Sequence, residues 1–195
     1  MILVVVLALP AFARGKKSTP ATTEPGTYTN WGPDIDELQI VKSFKFADYK
    51  SVVVEPFDTS SVQLPEKGDN TYESVTKVLA SATEGFVQGL RGSVEPKVSI
   101  DSNEAKAAGT LLIRGKVLAM DPGSKAARYW AGFGAGAARA KIEGEIVDAK
   151  SKQVLAKFTQ ERRSGGGMMG GDYQELMQRN LNAVGEDVAN ILKAF

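Results

Sequence analysis

The chain has 195 residues, with 24 lysines and arginines against 23 acidic residues, and contains neither cysteine nor histidine. That composition excludes disulfides, zinc sites built on thiolate or imidazole, cysteine nucleophiles, Ser-His-Asp triads, histidine acid–base chemistry and lipidation at a cysteine. A net charge of +1 argues against a general nucleic-acid binder.

Met1–Ala13, MILVVVLALPAFA, is apolar and ends in Ala11-Phe12-Ala13, the small-x-small pattern of a signal-peptidase site. Its apolar run makes roughly 18 Å of helix, too short for a hydrocarbon core of about 30 Å. It reads as an export signal, although no lysine or arginine precedes it. Residues 14–37 follow, rich in Thr, Pro, Gly and Lys, and read as a flexible tether. The acids Asp34, Asp36 and Glu37 lack the glycine and ligand spacing of a calcium loop and read as solvated acids at a helix start.

Residues 38–195 suit one domain. Tyr49–Phe57 is β-branched, closed by a proline, and reads as a strand. Asn70–Glu73 has the form of a capping box and opens a helix running to about Leu90. The apolar stripe of that helix is Tyr72, Val75, Leu79, Ala82, Phe86 and Leu90, and Gly92 ends it. Val94–Ile100 is a second strand, Asn103–Ala108 a short turn or helix, and Thr110–Met120 a strong strand stopped by Asp121-Pro122-Gly123. Arg139–Asp148 and Gln153–Arg163 alternate as the strands of a hairpin, with Ala140, Ile142, Gly144 and Ile146 on one side of the first and Lys141, Glu143 and Glu145 on the other. Asp172 caps a last helix with Tyr173, Met177, Leu181, Val184, Val188, Ile191 and Phe195 in its stripe. The fold class is α/β (α+β): a mixed sheet of about five strands with two long helices packed on one face.

The hairpin lies between glycine-rich segments, Gly132-Phe-Gly134-Ala-Gly136 before it and Gly165–Gly167 after it. Hairpin geometry brings these together at one end of the sheet, with Arg128, Trp130, Arg139, Arg162 and Arg163. The first segment matches GxGxxA, but a dinucleotide fingerprint requires a helix to follow and here a strand does. Alternate glycines leave one face of an extended segment bare, open to close approach by backbone, ring or lipid chain. Backbone freedom in a flexible loop explains them equally well. As a strand, Tyr129–Ala138 reaches about 33 Å and could cross a bilayer within a closed barrel of several chains; as a helix it reaches only about 15 Å. Met168-Met169 is either an adaptable apolar contact or a loop plug.

KSVVVEPF, the long helix, LLIRGKV, RYWAGFGAGAARAKIEGEIVDAKSKQVLAK and the closing helix together resemble the bacterial family named domain of unknown function 4410, over roughly Leu38–Phe195. The resemblance implies an exported envelope protein with a fold similar to the small α/β domains of TolB amino-terminal and curli-secretion-channel type lipoproteins. It implies no catalytic residues and no cofactor, and this chain lacks the cysteine that lipoprotein members acylate. The leading reading is a non-enzymatic binding or assembly module whose contact residues are Arg128, Trp130, Gly132, Gly134, Gly136, Arg139, Arg162 and Arg163. Arginine forks suit the phosphate or carboxylate groups of an envelope lipid or cell-wall polymer, and an envelope protein is the other partner considered. The alternatives are a homo-oligomeric ring or pore subunit, and a hydrolase using Glu143, Glu145 or Asp148.

Overall fold

The computed structural model describes residues 20–101, 108–124, 136–164 and 172–195. The apolar leader, the 103–107 turn, Arg128, Trp130, Gly132, Gly134, Gly165–Gly167 and the Met168-Met169 pair lie outside these residues.

A sheet of seven strands, rather than about five, runs through the molecule in the order β1-β2-β7-β6-β5-β3-β4. Its strands are β1 (Gly26–Trp31), β2 (Ile35–Ile40), β3 (Ser51–Val54), β4 (Lys97–Ile100), β5 (Thr110–Asp121), β6 (Ala138–Asp148) and β7 (Val154–Ser164). β3 is parallel to β4 and β5, and every other pairing is antiparallel. The described α-helices are α1 (Tyr72–Ala80), α2 (Ala82–Arg91) and α3 (Tyr173–Ala194).

The two additional strands come from the stretch expected to be a tether. Ile35, Leu38 and Ile40 are buried in the main core, as is Trp31, whose indole N–H donates to the Thr22 carbonyl at 2.8 Å. Burying one tryptophan and three branched aliphatics is worth several kcal/mol gross, enough to hold a short hairpin that has a sheet edge to pair with. The acids here start no helix. Asp36 sits in β2, where its carboxylate accepts the Glu161 backbone N–H at 2.9 Å.

The first long helix is two. At Ser81 the backbone leaves helical geometry (φ −113°, ψ 17°), and the serine hydroxyl donates back to the Lys77 and Val78 carbonyls at 3.3 and 3.4 Å. Such back-bonding bends helices. The capping box does not form either. Thr71 precedes the helix without a side-chain cap, and the Asp69 carboxylate instead accepts from the Thr71 N–H and hydroxyl at 2.7 and 2.5 Å.

The bend lets α2 sink onto α3. A Cβ on Gly89 would lie 1.9 Å from the Asn182 carbonyl oxygen, and one on Gly185 would lie 2.0 Å from that of Phe86. Only bare backbone permits that approach. α3 packs across β6 and β7, so the helices and the largest side chains, including Phe86, Phe158, Leu111 and Ile142, share one side of the sheet. Gly144 faces the same side opposite Phe158, whose ring would stand 2.5 Å from a Cβ there.

The other side of the sheet has no helix among the described residues. It carries a small apolar cluster of Val53, Leu112, Val147 and Ala149, joined by Val154. Period-two alternation along β7 groups Val154 with Ala156 and Phe158, which lie on the helix side. A register shift opposite Ile146 and Val147 leaves Leu155 without a partner on β6, although its carbonyl accepts the Val41 and Lys42 N–H groups, and turns Val154 over.

Candidate functional site

The middle of the uncovered side is a cross-strand charge ladder. Arg114, Glu145 and Lys157 stand opposite one another on β5, β6 and β7, and Glu145 receives the two cations at 2.8 and 2.9 Å. Lys116 and Glu143 form the next rung at 3.2 Å. The Lys157 hydrogen bond and the Arg114 bonds hold the Glu145 carboxyl below its ordinary range. Asp148 is likewise held low, first by the Ser151 N–H and hydroxyl and then by Tyr49. Burial and Asp148 push the Tyr49 phenol up to about 12. A glycosidase acid needs the opposite shift, a carboxyl raised toward neutrality. Glu143, Glu145 and Asp148 are ion-pair and turn residues in this arrangement. Among the described residues no group of three or more acidic side chains could hold a metal ion.

The glycine-bracketed end is built differently. β6 begins and β7 ends there, with Ala138 opposite Ser164, Arg139 opposite Arg163, and Ala140 opposite Arg162. Directly opposed residues share a face, so this register sorts the arginines. Arg139 and Arg163 lie together on the uncovered side. Arg162 turns to the helix side. There it binds the Asp187 carboxylate through two guanidinium nitrogens, Nε at 2.6 Å. Gln160, 1% exposed, donates to the same carboxylate at 2.6 Å and to the Asp34 carbonyl at 2.9 Å, and accepts from the Asp36 N–H at 2.8 Å. Burial pushes Asp187 up, while its hydrogen bond raises Arg162 further. With three N–H donors aimed at the carboxylate, the geometry supports an ionised pair. Arg162 therefore locks β7, α3 and the β1–β2 turn together.

Arg139 has weaker ties. Its nearest acids, Asp121 and Glu161, are both 3.9 Å away, and its Nε is buried without a hydrogen-bond partner. An unmet buried N–H costs about 1–3 kcal/mol, whereas exposed ion pairs at such range return about 0–1. Arg163 is 65% exposed and grips Glu161 at 2.5 Å. Both arginines line a depression of about 440 Å³ with Asp121, Gly123, Gly136 and Ala137. The backbone closes its rim. Gly123 and Gly136 both have left-handed φ, +73° and +71°, and the Ser124 N–H donates to the Gly136 carbonyl at 3.1 Å. Behind the depression, Asn180 of α3 donates to the Ala138 carbonyl at 2.9 Å, and the Ser164 hydroxyl donates to the Leu176 carbonyl at 3.1 Å.

Of the contact residues expected from sequence, Gly136, Arg139 and Arg163 thus meet on one face, and Arg162 lies on the other. Arg128, Trp130, Gly132 and Gly134 are outside the described residues. Sequence reasoning missed Asp187 and Gln160. An aspartate amid the apolar stripe of α3, two residues above glycine, was the available signal.

Residues 52–167, more than half of the chain, match the model of the family described as Domain of unknown function (DUF4410), and the chain belongs to that family. The match runs from within β3 past the end of β7. The chain is similar to a PelC dodecamer from Paraburkholderia phytofirmans, at 15% identity and a TM-score of 0.49 over 76% of this chain and 96% of that one. It is also similar to the hypothetical protein CT253 from Chlamydia trachomatis, at 12% identity and a TM-score of 0.45 over 75% and 100% of the two chains. A third similar structure is protein XCC0632 of the DUF330 family from Xanthomonas campestris, at 12% identity and a TM-score of 0.41 over 88% and 93%. No curated protein matches the sequence.

Proposed function

We propose that this chain is an exported, non-enzymatic binding or assembly module of the bacterial envelope, which contacts its partner through the glycine- and arginine-bearing end of β5, β6 and β7. One observation carries the reading: the pairing of Ala138 with Ser164 sets the start of β6, just after Gly136, against the end of β7, with Arg139 and Arg163 side by side on the uncovered face. Export rests on the apolar leader and its Ala11-Phe12-Ala13 site. The non-enzymatic part rests on the three carboxylates a hydrolase would use: Glu143 is paired with Lys116, and Glu145 and Asp148 are held below their ordinary range by cations and turn donors.

The test is cell fractionation with light scattering, with and without detergent, on the wild type and on a Gly134→Val/Gly136→Val variant shown by circular dichroism to be folded. Envelope association in the wild type and its loss in the variant is the expected result. A cytosolic protein, or a variant indistinguishable from wild type, would overturn the reading. A large detergent-extracted oligomer would make the same end an assembly element between copies of this chain.

A further inference from the structure

Two arginines directly opposite on an antiparallel pair repel each other, and sheets avoid that arrangement unless something bridges the charges. Elsewhere on the same face the rule is kept: every cation among Arg114, Lys116 and Lys157 stands opposite or beside a carboxylate within 3.2 Å. At Arg139, which faces Arg163 directly, it is broken. Glu161 is taken by Arg163, and the acids around Arg139 stop at 3.9 Å. Arg139 also keeps a buried Nε with no acceptor. Among the described residues, Glu161 is the one carboxylate that reaches both arginines, and it leaves the Arg139 Nε–H without a close oxygen acceptor.

We infer that Arg139 and Arg163 form a two-pronged clamp for a phosphate group, seated in the depression that Gly123 and Gly136 border. The inference rests on the proposed contact surface and names its ligand chemistry. Planar guanidinium forks match the oxygens of a tetrahedral phosphate, and two of them reach it from adjacent strands. The bare glycines keep side chains out of the rim, where a Cβ on Gly123 would meet the Gly136 carbonyl at 2.2 Å. Arg162 is no part of the clamp, because Asp187 holds it on the opposite face. Asp121 competes with the phosphate for Arg139, and Glu161 competes for Arg163 and more weakly for Arg139, so binding is exchangeable and weakens with salt. Asp121 offers a specific handle. Its Oδ1 accepts the Gly123 N–H at 2.8 Å, a bond that an asparagine retains while losing the competing charge.

The clamp is tested on the purified, folded full chain by titrating inorganic phosphate and following the arginine Nε–Hε resonances. In parallel, the protein is sedimented with phosphatidylglycerol or phosphatidylcholine vesicles. Saturable binding is expected, weakened about tenfold or more by Arg139→Gln or Arg163→Gln, tightened by Asp121→Asn, and untouched by Arg179→Gln on α3. Saturation by free phosphate alone identifies a soluble phosphoester as the source; selective capture by phosphatidylglycerol identifies a lipid headgroup. Failure of both probes to saturate, or equal loss in the Arg179 variant, overturns the clamp. A protein that binds phosphate but does not fractionate with the envelope keeps the clamp and loses the wider reading; the reverse result loses only the clamp.

Discussion

Glu145 shows how a single side chain on the uncovered face adds to stability. It accepts from Lys157 and Arg114 and is 26% exposed, so the pairing is screened only in part. Its folded pKa lies below the ordinary value, which fixes the sign of its linkage to pH. The contribution is present above the unfolded-state pKa and is lost as pH falls through the folded one. Glu145→Gln should therefore lower stability by about 1 kcal/mol at pH 7, and the gap from wild type should close below the carboxylate range. Urea midpoints at neutral and acid pH measure it; a gap that persists in acid would refute the assignment. The wet side of this strand was legible in sequence, because strict alternation of Lys141, Glu143 and Glu145 with buried neighbours leaves one arrangement. The sorting of arginines was not. Arg162 and Arg163 are adjacent, and only register against Ala140 and Arg139 decides which of them meets Asp187.

At the scale of elements, the α2–α3 contact depends on what its residues lack. Helix propensity favours Gly→Ala in a helix interior by up to about 1 kcal/mol. At Gly89 and Gly185 the added methyl would stand 1.9 and 2.0 Å from carbonyl oxygens of the facing helix. Backbone cannot rotate aside as a side chain does, so the helices must separate, and overpacking of this kind costs about 1–3 kcal/mol or more. The packing term wins. Gly89→Ala and Gly185→Ala should each be destabilising by about 2 kcal/mol, whereas Gly92→Ala, whose nearest neighbours stand at 3.8 and 3.9 Å, should be close to neutral. Thermal unfolding of the three variants separates the outcomes, and a stabilised Gly89→Ala would mean the helices are not in this contact. The apolar stripe of α3 was readable from its spacing, and Met177, Leu181, Val184, Val188 and Ile191 are buried as it implies; in α1 the spacing pointed to Tyr72 and Leu79, which are half-buried, and passed over Val78, which is buried. The break at Ser81 was hidden because the stripe continues in phase through it.

The whole molecule extends further toward its N-terminus than composition suggests. Residues 20–37 are polar on average, yet averages conceal that Trp31 and Ile35 point one way and are only 2% exposed. β1 and β2 also close one edge of the sheet, since β2 pairs with β7 from Glu37 to Ile40. A boundary at Leu38, natural from sequence, would cut through this pairing. It would remove the Asp34 and Asp36 backbone groups that Gln160 binds, leave that buried amide short of two partners, and uncover the Arg162–Asp187 pair. Each unmet buried group costs about 1–3 kcal/mol, and the exposed apolar face of β7 adds to that. A chain starting at Leu38 should therefore lose roughly 3 kcal/mol or more against one starting at Pro20, which for a domain of this size is a fall of roughly 6–12 °C in Tm. Paired melting curves decide it. Equal melting temperatures would return residues 20–37 to the role of a tether; a large drop would mean that the arginine-bearing end of β7 is held in place from the N-terminal side as well as by α3.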